Sequence, residues 1–343
     1  MGRVKFTLFA DLHYKKGMYI ASVSDLEEII SSAKENGSDF VLHAGDMCND
    51  YSGSAELIEA YIGNRHKMAV YGVYGNHELE SAENSMSRVT PLLTNRKVCF
   101  GTEDGSIGDG SIAYYFFDKD AFRFICLDTN YSYSEQNGKW EHNTEKSYGA
   151  PKGNLYPDSL GPVQIAWLAR LLEKTADDGM HAVLLSHAAL GGAALRHSPD
   201  AAEVRAIIDS VNRKKPHTVI MSVNGHYHTN HVALENGVVY LDTNTVRNGY
   251  WHSAKSRHYT DESFVYVDYD SQGIKRSERE RLVSELRMSE NTWYFDRPLY
   301  TAVSLSTDGE INIEGAEVGW FGGIDPNPEL FADPSISDFR ITL

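Results

Sequence analysis

Acidic residues, histidines and one asparagine recur in this chain at five places where a short apolar run has just ended. Asp11-Leu12-His13 follows the first such run, Gly45-Asp46 the second, and Gly75-Asn76-His77-Glu78 the third. Ser186-His187 and Gly225-His226-Tyr227-His228 follow two later runs. Carboxylate, imidazole and amide oxygen without thiolate suit Mn, Fe, Zn, Co or Ni rather than a structural zinc or an oxygen-only calcium site. Asp11, His13, Asp46, Asn76, His187, His226 and His228 make seven candidate ligands. Seven is too many for one tetrahedral ion and fits two ions that share a carboxylate. Two cations about 3.5 to 4 Å apart can clamp the attacking and leaving oxygens of a phosphoryl centre, so the expected chemistry is phosphoester hydrolysis.

Such residues act together only if the elements before them end at one place. Val4 to Ala10, Phe40 to Ala44 and Met68 to Tyr74 read as buried strands. Between them, Leu26, Ile29, Ile30 and Ala33 recur at helical spacing behind a Ser24 to Glu27 capping-box signal, and Leu57, Ile58, Tyr61 and Ile62 mark a second helix. This βαβαβ order implies parallel strands with helical crossovers. A helix-like segment around Met86 to Leu93 precedes strands at Ile112 to Phe117 and Phe122 to Leu127. A helix from Pro162 to about Thr175, a strand from Ala182 to Leu185, a helix opened by Ser198-Pro199 and a strand from Val219 to Val223 follow. Asn236-Gly237 and Asp308-Gly309 are hairpin signals, and Lys275 to Met288 reads as a surface helix. Loops beyond the carboxyl ends of strands in an open α/β sheet converge on one crevice, and all five blocks occupy such loops.

Residues 131 to 157 lose apolar periodicity and become polar and aromatic, which in a compact chain marks a functional loop. The loop follows the strand ending at Leu127-Asp128 and is expected on the metal side, as a lid or wall with Tyr131, Tyr133 or Trp140 stacking on a base or another apolar group. His43 reads as a strand histidine with a satisfied partner and Cys48 as a buried, inert thiol. His142, His231, His252 and His258 read as surface residues.

Asp-x-His, Gly-Asp, Gly-Asn-His-Glu, a lone His and Gly-His-x-His, in that order, resemble the calcineurin-like metallophosphoesterases over residues 4 to about 245. The variants at Gly75 to Glu78 and Gly225 to His228 look like the branch of cyclic-nucleotide phosphodiesterases and glycerophosphodiesterases. The resemblance implies a four-layer α/β sandwich, two mixed β-sheets flanked by helices, here with a β-rich C-terminal extension. It implies Asp11, His13 and His228 on one metal, Asn76, His187 and His226 on the other, and Asp46 bridging. His77 would be the catalytic histidine, donating a proton to the leaving oxygen or stabilising charge, after attack by metal-bound hydroxide. Family members often orient that histidine with an Asp three residues after the bridging Asp; Asn49 stands there. A tyrosine would have pointed to purple acid phosphatases. The expected cofactors are two divalent transition-metal ions, Mn, Fe or Zn.

The whole composition agrees with a small substrate. With 32 Lys plus Arg against 48 Asp plus Glu among 343 residues, the formal charge is −16. That disfavours nucleic-acid polymers and anionic membranes, and with them a nuclease of the same fold. A small phosphodiester, nucleotide or related phosphoester is the expected partner, diester favoured over monoester. A non-catalytic scaffold of the same fold would show eroded ligands, and none of the seven is missing. No Gly-x-x-x-x-Gly-Lys loop or Gly-x-Ser-x-Gly elbow offers another mechanism. Three separated cysteines and no visible signal peptide suggest the cytoplasm. Residues 1–254 are expected to form the catalytic domain and 255–343 the extension packed on it, as a monomer or a homodimer.

Overall fold

Strand β1 (Arg3–Phe9) is buried along nearly its whole length because apolar layers cover both of its faces. In the computed structural model, residues 2–14, 21–49, 51–64, 66–79, 89–102, 112–142, 158–194, 197–250, 292–319 and 338–343 are described. β1 pairs in parallel with β2 (Phe40–His43), and β2 with β3 (Ala69–Gly72). The crossovers are α1 (Val23–Glu35) and α2 (Tyr51–Ile62). α1 begins two residues earlier than its strongest sequence signal: the Ser22 N–H donates to Asp25 Oδ2 at 2.7 Å, so the box is Ser22 with Asp25 rather than Ser24 with Glu27. Within Met86 to Leu93, the described part is a 3₁₀ turn over Thr90–Leu92. The Lys275 to Met288 helix, His252 and His258 lie outside the described residues.

The second sheet contains β4 (Cys99–Phe100), β5 (Tyr115–Lys119), β6 (Phe122–Cys126), β9 (His181–Leu185), β10 (Val219–Asn224), β11 (His231–Glu235) and β12 (Val238–Asp242). Its order is β11-β12-β10-β9-β6-β5-β4. β6, β9, β10 and β12 are parallel, and β11, β5 and β4 are antiparallel to their neighbours. β13 (Asn248–Tyr250) and β14 (Thr292–Tyr294) form a short antiparallel pair of their own. The other flank of β1 is held by β15 (Thr301–Ser306), antiparallel, followed outward by β16 (Glu310–Gly315) and β17 (Phe339–Thr342). These C-terminal strands therefore complete the sheet that β1 begins, in the order β17-β16-β15-β1-β2-β3.

Alternation along the central strands divides the core. On β6, Phe122, Phe124 and Cys126 face the first sheet, whereas Ile125 joins Trp167, Leu168, Val204 and Ile208 of α3 (Gly161–Asp178) and α4 (Ala201–Lys214). Between the sheets, Phe124 meets Phe6 and Phe40 edge-on at 5.4 and 5.0 Å. Each buried ring contributes about 1.5–3 kcal/mol of transfer free energy. With α1 packed on β1 and β2, the result is four layers, helices outside two mixed sheets.

Part of the loop after β6 is ordered as a hairpin, β7 (Tyr131–Ser134) with β8 (Lys139–His142). Its Tyr-Ser-Tyr-Ser run alternates with period two, and Asn137-Gly138 supplies the turn, with Gly138 at φ 61°. Residues 143–157 lie outside the described residues.

Candidate metal centre

The strands β1, β2, β3, β9 and β10 release their chains at the same end of the two sheets, and the five blocks meet there. Backbone hydrogen bonds knit the loops before any side chain is considered. Asp11 N donates to Gly45 O and His13 N to Asp46 O, both at 2.9 Å, and the Thr245 hydroxyl donates to Asp11 O at 2.6 Å.

Among the described residues, three sets of ligand-type side chains result, each with donor atoms within 4.8 Å of one another: Asp11, His13 and His228; His13, Asp46 and His77; Asp46, His187 and His226. His13 Nε2 and His228 Nε2 face each other at 3.1 Å, and His228 Nε2 lies 3.2 Å from Asp11 Oδ1. On the other side His187 Nε2 stands 3.2 Å from Asp46 Oδ2, 3.2 Å from Asn76 Oδ1 and 3.0 Å from His226 Nδ1. Asp46 sits between the two groups, its Oδ2 also 3.7 Å from His13 Nε2.

The outer ring nitrogens are held. His13 Nδ1–H donates to Asn49 Oδ1 at 2.8 Å and His187 Nδ1–H to Ala44 O at 2.7 Å, which turns both Nε2 lone pairs inward. Asn49 thus secures His13, where sequence reasoning had assigned it to His77. His77 stands at the mouth, half-buried; its backbone N–H donates to Asp46 Oδ1 at 2.8 Å and its ring packs edge-on against His13 at 4.6 Å. Its Nε2 is 3.9 Å from Asp46 Oδ2.

Glu78, the last residue of the third block, carries a role that sequence reasoning missed. Its buried carboxylate accepts the backbone N–H groups of Gly75 (2.6 Å), Asp46 (3.1 Å), Cys48 (3.2 Å) and Met47, pinning the Asp46 turn to the Asn76 turn. Burial, and then the neighbouring Asp46, raise its pKa to about 7. The signal was present as a carboxylate inside a ligand block, but most of its partners lie some thirty residues away in the chain.

Glycine is required where the loops cross. A Cβ on Gly75 would lie 2.0 Å from Asp46 Oδ1 and one on Gly225 2.5 Å from Asp11 Oδ2. The side-chain-bearing residues around them are strained instead: Asp11, His13, Asp46, His226 and His228 all have positive φ, between 50° and 75°.

The donor set fits divalent cations. Asp11 Oδ1 is buried without a hydrogen-bond partner among the described residues, and imidazole nitrogens converge on it. Burial opposes ionisation of Asp11 and Asp46, yet the surrounding histidines, led by His228 and His187 respectively, hold both carboxyls well below the usual range. His187 shows the converse: burial disfavours its charge, but Asp46 and then Asp11 bring it up to about 10. The imidazoles thus occupy the place of a positive charge that the two carboxylates demand.

A calcineurin-like phosphoesterase family model matches residues 4–230. The chain belongs to that family. Among solved structures, a dimetal phosphatase from Danio rerio is 14% identical, with a TM-score of 0.59 over 99% of this chain and 98% of that one. The purple acid phosphatase PPD1 from yellow lupin seeds is 11% identical, with a TM-score of 0.51 over 99% of this chain and 54% of that one. These likenesses are to the fold. No curated protein matches the chain. A metal-dependent phosphoester hydrolase is the coarse reading that the family carries, and its four-layer architecture is the one observed here. Among the described residues, no helix is long and apolar enough to cross a membrane.

The remaining candidates lie outside the three ligand sets. Tyr133 and Trp140 are exposed and paired across β7–β8 with ring centroids 6.0 Å apart. Tyr131 is half-buried and packs edge-on against His142 at 4.8 Å. His142 is not a surface residue: its Nε2 lies 2.7 Å from the buried Asp128 carboxylate. His231 is exposed, Cys48 is buried, and the His43 ring donates from Nε2 to Leu92 O at 2.7 Å.

Proposed function

We propose that this crevice hydrolyses a small phosphodiester, nucleotide or related phosphoester with two divalent transition-metal ions. Asp11, His13 and His228 would hold one ion, Asn76, His187 and His226 the other, and Asp46 would bridge. The observation that carries the reading is the position of Asp46, whose carboxylate belongs to two ligand sets lying to either side of it. When bound, the two cations supply charge neutralisation for a phosphoryl group and acidify water.

The chain's own residues do the rest. Asn49 and the Ala44 carbonyl keep His13 and His187 in the tautomer that presents Nε2. His77, anchored through its backbone to Asp46 and half-buried, would donate a proton to the departing oxygen. Among the described residues, the Asp11 and Asp46 carboxylates pair only with imidazoles, with no Lys or Arg in their ion pairs. The Tyr133 and Trp140 pair, on the hairpin after β6, supplies a stacking surface for a base or another apolar leaving group.

The test is hydrolysis by Mn²⁺-loaded protein of bis-p-nitrophenyl phosphate, p-nitrophenyl phosphate and a panel of nucleotides. Turnover of none of them overturns the enzymatic reading, and a faster monoester rate reverses the diester preference.

A further inference from the structure

His226 differs from its neighbours in how it enters the centre. His13 and His187 point Nε2 inward; His226 points Nδ1 inward, 3.0 Å from His187 Nε2, so its Nε2 is the outer nitrogen. Facing that nitrogen is the carboxyl group of Asp158, with Oδ2 3.7 Å from Nε2. Asp158 is 2% exposed and has φ 42°, a left-handed conformation that a residue other than glycine adopts at a cost. The chain fixes it from the following side: Tyr131 N donates to Ser159 O at 3.0 Å, and Leu160 N and Gly161 N donate to Asp200 Oδ2 at 2.7 and 3.2 Å. A strained, buried carboxylate is thus held against the outer edge of one imidazole.

We propose that Asp158 is a positioning residue for the metal half formed by Asn76, His187 and His226. At 3.7 Å the contact is electrostatic rather than a short hydrogen bond. A carboxyl group there faces the outer nitrogen of the ring, which holds the imidazole with Nδ1 turned toward a cation. The inference rests on the two-metal reading above.

The experiment uses the full chain, stripped with a chelator and titrated with Mn²⁺, followed by calorimetry and by the electron paramagnetic resonance of the coupled Mn pair. Asp158→Gly removes the carboxylate at a backbone angle that glycine accepts freely, so its metal-free form should melt as wild type does. It should bind one Mn²⁺ with wild-type affinity and the other about 10 to 100-fold more weakly. The coupled-pair signal should be missing at two equivalents and return with excess Mn²⁺. Asp158→Asn, which keeps the shape and tolerates the left-handed angle, should show a smaller loss at the same ion. Two ions bound by Asp158→Gly with wild-type affinities overturn the proposal. So does equal weakening of both ions together with a lower melting temperature of the metal-free protein, which would make Asp158 merely structural. Wild-type protein that binds fewer than two ions overturns the two-metal reading itself, and this inference with it.

Discussion

Replacing Glu78 with glutamine changes one atom type and tests whether the centre is organised by its backbone turns. In wild type the two carboxylate oxygens accept four backbone N–H groups: Oε1 those of Met47 and Cys48, Oε2 those of Asp46 and Gly75. The glutamine side chain offers one acceptor oxygen, so its NH₂ must face one of these donor pairs. Two buried N–H groups then lose their acceptor, each costing about 1–3 kcal/mol, or about 2–6 kcal/mol in all. The loss falls on the turns that carry Asp46 and Asn76, so the second effect is on metal affinity. The assay is urea unfolding of metal-free wild type and variant at pH 8, beside a Mn²⁺ titration of each. Glu78→Gln should unfold at lower urea and bind Mn²⁺ more weakly. A variant within about 0.5 kcal/mol of wild type and with unchanged Mn²⁺ binding would refute the reasoning, because surface substitutions do no more than that.

Other residues give separate tests. His77→Ala should keep both metals, by elemental analysis, yet lose about 10²–10⁴-fold in kcat on bis-p-nitrophenyl phosphate; loss of metal instead would make His77 a ligand. Asp242 is buried, its Oδ1 has no hydrogen-bond partner among the described residues, and burial raises its pKa from 3.8 to about 7. Because the folded state binds this proton more tightly, its stabilising share is complete below pH 3.8 and is lost as pH rises through 7. Asp242→Asn should therefore gain on wild type between about pH 5 and about pH 8.5, by at most about 3 kcal/mol in urea unfolding; a difference that does not move with pH refutes this. Stripping the protein with a chelator should abolish phosphate binding in calorimetry, because Asp11 and Asp46 then stand uncompensated at the floor of the crevice.

The parts of the fold that were legible are those whose cause is local. Asn236-Gly237 and Asp308-Gly309 require residues that accept positive φ, and β11–β12 and β15–β16 turn there, with Asn236 at φ 50° and Gly309 at 90°. The same signal at Asn137-Gly138 was hidden because β7 alternates aromatic with serine and so resembles a polar loop. The helix start at Ser22 was displaced by a competing Ser24, whose hydroxyl lies 2.7 Å from that of Ser22. In the crevice, the seven ligand-type residues stood out because each follows the end of a strand. Their supports did not. Glu78, Asn49 and Asp158 act on residues 30 or more positions away, a relation that exists only once two sheets bring their ends together.

Strain and charge in the crevice have a common origin. Asp-x-His and His-x-His must send alternate side chains toward the same ions from loops too short to turn gradually. Asp11 and His13 therefore both take positive φ around the buried Leu12, and His226 and His228 do so around Tyr227. Each such residue costs on the order of 1–2 kcal/mol, and each buried carboxylate costs more until a cation or imidazolium faces it. On the proposed two-metal reading, bound cations would offset the cost of the buried carboxylates, which a neutral ligand would not. The same balance bears on substrate size. On the proposed two-metal reading, divalent ions against Asp11 and Asp46 would leave the crevice floor locally positive in a chain of net charge −16. An anion small enough to reach that floor would then be favoured over a long polyanion that also meets the chain's net negative charge.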